Sequence, residues 1–199
     1  MMYQWRKLTK EERKATLALR RGEKRPWHSP KHIDYGPGFY LITGTCYEHK
    51  PIIGSGAGRM RECANALELL ISTSGSETIV WCVLPNHYHY LVHTESVLNI
   101  LDLLRLFHGR TARAWNLEDN QRGRKVFYNY LERYIPSEER FRKTINYVHH
   151  NPVKHGYVDR WDAWKMSSAQ AYIAAVGDEQ AMKWWLEYPI GDFGAGWDD

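Results

Sequence analysis

The stretch Trp81-Cys82-Val83-Leu84-Pro85-Asn86-His87-Tyr88-His89-Tyr90-Leu91-Val92 decides how this chain is read. An apolar, β-branched run ends at Pro85-Asn86, and a second strand-like run carrying two histidines begins behind that two-residue break. Side chains on a strand alternate faces, so His87 and His89 point the same way. Two imidazoles side by side on a rigid strand make half of a metal site. The remaining ligands must come from elsewhere in the chain.

Working outward, residues 39–47 form a first strand by their β-branched and aromatic content. Met60, Cys63, Ala64, Leu67 and Leu70 repeat near helical spacing, and Ser74-Gly75-Ser76 ends that helix. Residues 77–84 and 86–93 are the second and third strands. A second amphipathic helix starts near Ser96, with Val97, Ile100, Leu101 and Leu104 on its apolar face, and runs to about Trp115. Residues 116–125 read as a polar loop and 126–135 as a fourth strand. Pro136-Ser137 starts a third helix, whose Glu138 and Glu139 suit its positive end. The order β-α-β-β-α-β-α describes an α+β, ferredoxin-like sandwich, an antiparallel sheet with helices packed on one face. This core spans residues 38–168. Residues 1–37 read as a basic arm, with a short helix begun by the capping-box spacing of Thr9-Lys10-Glu11-Glu12 and stopped by Gly22. Residues 169–199 read as a C-terminal helical and acidic extension.

Composition narrows the class. The 199 residues carry a net charge of +4, concentrated in residues 6–31, where Lys and Arg are opposed only by Glu11, Glu12 and Glu23. A basic arm with an acidic tail points to a polyanionic partner, and nucleic acid is the commonest. Cys46, Cys63 and Cys82 sit among apolar residues without a C-x-x-C pair, as buried thiols of a reducing compartment do. No apolar run reaches the roughly 18–20 residues of a membrane span, and the first residues lack the apolar core of a signal peptide. These features predict a cytoplasmic protein.

The third helix ends in Thr144-Ile145-Asn146-Tyr147-Val148-His149-His150-Asn151-Pro152-Val153-Lys154-His155-Gly156. Phe141, Ile145 and Val148 form its apolar stripe. Tyr147 and Asn151 lie one turn apart on a flank, which predicts an exposed phenol and carboxamide at the helix end. Pro152 disfavours helical geometry at Asn151 and is expected to close the helix there. Two histidine nitrogens and one asparagine oxygen leave open positions on a divalent ion, which suits Mg²⁺ or Mn²⁺ on a phosphate better than a closed structural zinc. A tyrosine beside it can attack that phosphate.

Taken together, Leu84-Pro85-Asn86-His87-Tyr88-His89 and Tyr147-Val148-His149-His150-Asn151-Pro152-Val153-Lys154-His155-Gly156 resemble the REP-associated tyrosine transposases. These are relatives of the single-tyrosine IS200/IS605 enzymes within the HUH endonuclease group. The resemblance runs from about Tyr40 to Ser168 and extends weakly into Tyr188-Pro189 and Gly194 to Asp199, which are similar to the tail of one subgroup. It implies a metal-dependent endonuclease and strand transferase for single-stranded DNA, active at hairpins of repetitive extragenic palindromes. It implies His87, His89 and Asn151 as metal ligands and Tyr147 as the nucleophile that forms a 5′-phosphotyrosine and frees a 3′-OH. Tyr88 stands where the family expects a bulky hydrophobic residue. The protein is expected to act as a monomer or homodimer.

Arg105, Arg110, Arg113, Arg122, Arg124, Lys125 and Lys154 are the candidate DNA contacts, and Trp27 and Trp115 candidate base stackers. Tyr130 and Tyr134 resemble the paired nucleophiles of two-tyrosine enzymes, but a strand does not set that spacing on one helical face, so they read as packing or DNA contacts. His93 reads as peripheral, and His149, His150 and His155 read as solvated helix-end residues, with help to proton transfer or phosphate contact as the alternative. Two other functions compete with the enzyme. A hairpin-binding protein without cleavage needs no Tyr147, and a metal hydrolase needs a carboxylate that neither motif supplies.

Overall fold

A computed structural model describes residues 9–22, 32–56, 58–195 and 197. The chain divides into two units, Met1–Ile33 with Gly196–Asp199, and Asp34–Ala195. In the first, helix α1 (Lys10–Gly22) opens with the reciprocal cap its sequence predicts. The Thr9 amide donates to Glu12 Oε2 at 2.7 Å, and the Glu12 amide donates to Thr9 Oγ1 at 3.2 Å. Residues 1–8 of the basic arm, and the connector bearing Trp27, lie outside the described residues.

The second unit contains β1 (Gly38–Cys46), α2 (Arg59–Thr73), β2 (Glu77–Val83), β3 (His87–Thr94), α3 (Val97–Glu118), β4 (Phe127–Ile135), α4 (Glu138–Lys154), α5 (Ala169–Val176) and α6 (Asp178–Glu187). The four strands form one antiparallel sheet in the order β2-β3-β1-β4. The helices α2 and α3 connect β1 to β2 and β3 to β4, as the sequence pattern requires. The β2–β3 hairpin is closed by the Leu84 amide on the His87 carbonyl at 2.8 Å. The β2 edge is covered, because Val83 donates to the Met166 carbonyl and Ser168 to the Trp81 carbonyl.

Alternation along the strands sorts residues to two faces. Tyr40 and Ile42 of β1 and Tyr88, Tyr90 and Val92 of β3 face the main core, where Cys63 and Leu67 of α2 and Ile100, Leu104 and Trp115 of α3 meet them. Gly44 is required here. A Cβ at that position would lie 2.2 Å from Cζ of Tyr88. The three cysteines are buried and free, with burial raising each thiol, Cys46 to about 11.

The third predicted helix, α4, lies on the other face. It packs against β2 and β3, and Ile145 and Val148 are buried there. So α2 and α3 share one face, while α4 covers the side to which His87 and His89 point. The helix also passes the position where Pro152 was expected to end it. Asn151 and Pro152 are both helical and buried, and Gly156 supplies the stop. Gly156, at φ 70°, donates to the Val153 carbonyl and Tyr157 to the Pro152 carbonyl, the paired bonds of a glycine-terminated helix.

The C-terminal extension forms the helices α5 and α6, as its sequence predicts. Asn146 on α4 donates to the carbonyls of Trp184 and Tyr188, which caps the end of α6. Arg142 lies 3.7 Å over the Trp184 ring, and Trp161 stacks on Trp185. Among the described residues no helix is long and apolar enough to cross a membrane.

Candidate metal and nucleophile site

β3 and α4 bring both sequence motifs to one place. His87 Nε2 lies 2.8 Å from Asn151 Oδ1, and the His89 and Tyr147 ring centroids are 5.2 Å apart. The His87 and His89 rings are 5.0 Å apart, so the period-2 spacing sets them on one face as expected. Tyr147 and Asn151 meet them because an i, i+4 pair occupies one side of a helix. All four are buried, with His89 and Asn151 at 0% exposure and Tyr147 at 2%. The expectation of an exposed flank is therefore corrected. The flank is turned into the sheet because α4 lies across it.

Each histidine is oriented from behind. His87 Nδ1 is 2.8 Å from Asn86 Oδ1, and His89 Nδ1 is 2.8 Å from Thr43 Oγ1. Such partners set which ring nitrogen is left for a metal, here Nε2 in both. Residue type and spacing alone mark neither Asn86 nor Thr43 as functional. Asn86 carried a signal as the residue before His87. Thr43 became visible only through register, since it pairs with His89 across β1 and β3.

Among the described residues no three His, Cys, Asp or Glu side chains converge on a metal position. The candidate set is instead two imidazoles and a carboxamide, and it fits a hard-to-borderline divalent ion with open positions. The 2.8 Å between His87 Nε2 and Asn151 Oδ1 is close to the roughly 3 Å between neighbouring ligands of an octahedral ion with ~2.1 Å bonds. With the Nδ1 proton donated to Asn86, two acceptors face one another across this gap. A shared cation, or a carboxamide turned to donate, satisfies both.

Three further groups adjoin the quartet. The His155 ring centroid is 5.0 Å from that of His87, and Lys154 Nζ is 5.6 Å from the Tyr147 ring. The third is the chain near its end. A Cβ on Gly194 would lie 2.2 Å from Cε2 of Tyr147, and the Phe193 ring is 6.0 Å from the phenol ring. Gly194 is seated directly on Tyr147, and only a residue without a side chain fits.

The other histidines of the α4 motif have different surroundings. His149 is buried, bonds Ser168 Oγ at 3.0 Å and stacks on Trp161, and burial pushes its pKa down to about 3. It is a packed, neutral residue and not the solvated cap expected. Burial and then Lys154 lower His150. His93 lies against Phe39.

The predicted DNA contacts separate. Arg105, Arg110 and Arg113 are exposed on α3, the helix covering the opposite face of the sheet. Arg122 is exposed in the loop that follows. Arg124 instead binds Asp119 at 2.6 Å and Asn116 at 2.9 Å. Asp119 also takes buried Arg59 at 2.6 Å, and the two guanidinium groups, Arg59 first, hold its carboxyl down to about 2. Arg124 thereby ties the loop to the ends of α2 and α3. Trp115 is buried beneath Arg59, so it is a core residue and not a base stacker. Trp27 lies outside the described residues. Tyr130 and Tyr134 pack against the main core, away from the quartet. Lys125 sets its ammonium over the Tyr47 and Tyr128 rings, and Lys154 over the Tyr147 ring.

No protein-family model matches the chain, and no curated protein matches it. Among solved structures, a REP-associated tyrosine transposase bound to a REP hairpin matches with a TM-score of 0.56 at 16% identity, over 73% of this chain and 85% of that one. A putative transposase from Deinococcus radiodurans R1 matches with a TM-score of 0.40 at 14% identity, over 66% of this chain and 94% of that one. The first match shows that this α+β fold is one found in a tyrosine transposase.

Proposed function

We propose that this protein is a metal-dependent endonuclease and strand transferase for single-stranded DNA, of the single-tyrosine HUH class, acting at REP-like hairpins. The observation that carries this reading is the buried meeting of Tyr147 and Asn151 on α4 with His87 and His89 on β3. The transposase fold around them supports it.

The residues divide the work. His87, His89 and Asn151 would hold Mg²⁺ or Mn²⁺, which when bound would polarise a phosphoryl oxygen and offset its developing charge. Thr43 and Asn86 hold the two imidazoles with Nε2 presented. The Tyr147 phenol gives up its proton as its oxygen attacks phosphorus, the P–O3′ bond breaks, the leaving 3′-oxygen takes up a proton, and the products are a 5′-phosphotyrosine and a free 3′-OH. The phosphoester is kept in the link, so a DNA hydroxyl can later reverse the step. Lys154, beside the Tyr147 ring, offers a cation to the phosphate. The segment seated on Tyr147 at Gly194 has to withdraw before the phenol meets DNA.

The test is incubation of the protein with labelled single-stranded hairpin DNA from beside its own gene, with Mn²⁺ or Mg²⁺, followed by a denaturing gel. A covalent adduct is expected, reduced on the order of a thousandfold or more in Tyr147→Phe and lost with chelator. Tight binding without adduct under either ion would make the protein a non-cleaving hairpin binder. An adduct that survives Tyr147→Phe would assign the nucleophile to another tyrosine.

A further inference from the structure

The end of the sheet that carries His87 holds a second cluster. β1 ends at Cys46, and residues Tyr47–His49 form a short turn behind it. That turn is tied to the histidine strand: the Cys46 amide donates to the Asn86 carbonyl at 2.8 Å, and the Tyr47 amide to the Val126 carbonyl at 2.7 Å. Asn86 is also the residue that orients His87. Glu48 and His49 both have left-handed backbones, at φ 58° and 51°, although neither is glycine. Such conformations persist where the surroundings over-determine them, and they gather at ligand clamps and active sites.

The facing strand is bulged at the same place. Gly44 pairs with Tyr130 and Cys46 with Phe127, so Tyr128 and Asn129 together oppose the single residue Thr45. A bulge re-aims side chains, and bulges are common beside active sites. Phe127 faces the main core, so Tyr128, which follows it on β4, turns toward the face of His87 and His89, and Tyr47 in the turn after β1 lies across from it. Their ring centroids are 6.0 Å apart. Lys125 is exposed and sets its ammonium 4.7 Å from one ring centroid and 4.8 Å from the other. Thr45, one residue from Cys46, pairs directly with His87.

Resting on the proposed endonuclease reading, we propose that Tyr47, Tyr128 and Lys125 form a subsite for one unpaired nucleotide of single-stranded DNA next to the scissile phosphate. The rings give a base a stacking surface, which serves any sequence because every base has a π-face. Contacts between an exposed ammonium and a ring are weaker than base stacking. An incoming base therefore displaces Lys125 from the rings, and its flexible stem carries the charge to the adjoining phosphate. The anchored turn keeps the platform at a set distance from His87, so the stacked nucleotide registers the phosphate beside the metal ligands.

Two readouts test this on the full chain. Hairpin oligonucleotides carrying 2-aminopurine at each unpaired flanking position report stacking by fluorescence. Quenching at one position is expected, lost in Tyr47→Leu and Tyr128→Leu and kept in Tyr47→Phe and Tyr128→Phe. The leucine variants are expected to raise the DNA concentration for half-maximal adduct formation about tenfold. Quenching that is unchanged in both leucine variants would overturn the subsite. Photo-cross-linking of 5-iodouracil oligonucleotides, mapped by mass spectrometry, separates the subsite from the chemistry. Cross-links at Tyr47 or Tyr128 without any adduct at Tyr147 would support the subsite and refute the endonuclease. Cross-links confined to α3, or none at all, would overturn the subsite even where the adduct forms.

Discussion

The two faces of the sheet share the strand β3 and differ in what their buried polar atoms meet. On one face of β3, Tyr88 and Tyr90 are closed off by α2 and α3, and each hydroxyl has a single internal partner, His108 Nε2 at 2.8 Å and the Ala64 carbonyl at 3.2 Å. On the other, His87 and His89 are held by Asn86 and Thr43 at one nitrogen and face Asn151 and Tyr147 with the rest of the ring. Both faces bury polar atoms. The first uses them up within the fold, and the second arranges them around the position that the proposed function gives to a cation and a phosphate. Packing and chemistry are separated here by one residue of strand register.

That separation can be broken from either side. The largest effect is expected from His89→Asn, whose amide can keep the Thr43 bond while removing Nε2. Mn²⁺ affinity measured by calorimetry should fall about a hundredfold or more with the urea midpoint little changed. A fall in stability without loss of metal would erase the distinction. Gly44→Ala is the converse experiment. Its Cβ would meet the Tyr88 ring at 2.2 Å, so unfolding free energy should drop by about 1–3 kcal/mol. Thr43→Val removes only the hydroxyl behind His89 and should weaken Mn²⁺ binding about tenfold, the smaller loss typical of a supporting residue.

The smallest effect concerns pH. His108 is stacked on Phe127 at 3.9 Å, and burial lowers its pKa to about 3. The unfolded chain, with a histidine pKa near 6.5, binds that proton more readily. The His108 contribution is therefore complete above about pH 6.5 and is lost as pH falls toward 3. His108→Gln, neutral throughout, should flatten the fall in urea midpoint between pH 6.5 and 4. An unchanged slope would show that this face does not carry the acid sensitivity.

Much of the fold was legible because its periods are unambiguous. Four strand-like runs, three helical repeats and short connections leave few antiparallel arrangements. The His87/His89 pair follows from a period of two, and the Tyr147/Asn151 pair from a period near four. Pro152 was misleading because a local rule competed with a stronger stop at Gly156 and with the burial of Pro152 itself. Arg124 and Trp115 were misread for a related reason. A charge and an indole look alike on paper whether they face solvent or the Asp119–Arg59 network.

Residue types and spacing alone determined the strands and helices, the pairing of the two histidines, and the pairing of phenol with carboxamide, because these depend on contacts within a few residues. Only the tertiary structure decided that α4 crosses the face opposite α2 and α3. That placement buries the quartet and sets Gly194 against Tyr147. Register between distant strands likewise brought Thr43 to His89, and Tyr47 and Tyr128 to the end of the sheet beside His87. Those juxtapositions come from sheet pairing and packing over scores of residues, and no local pattern encodes them.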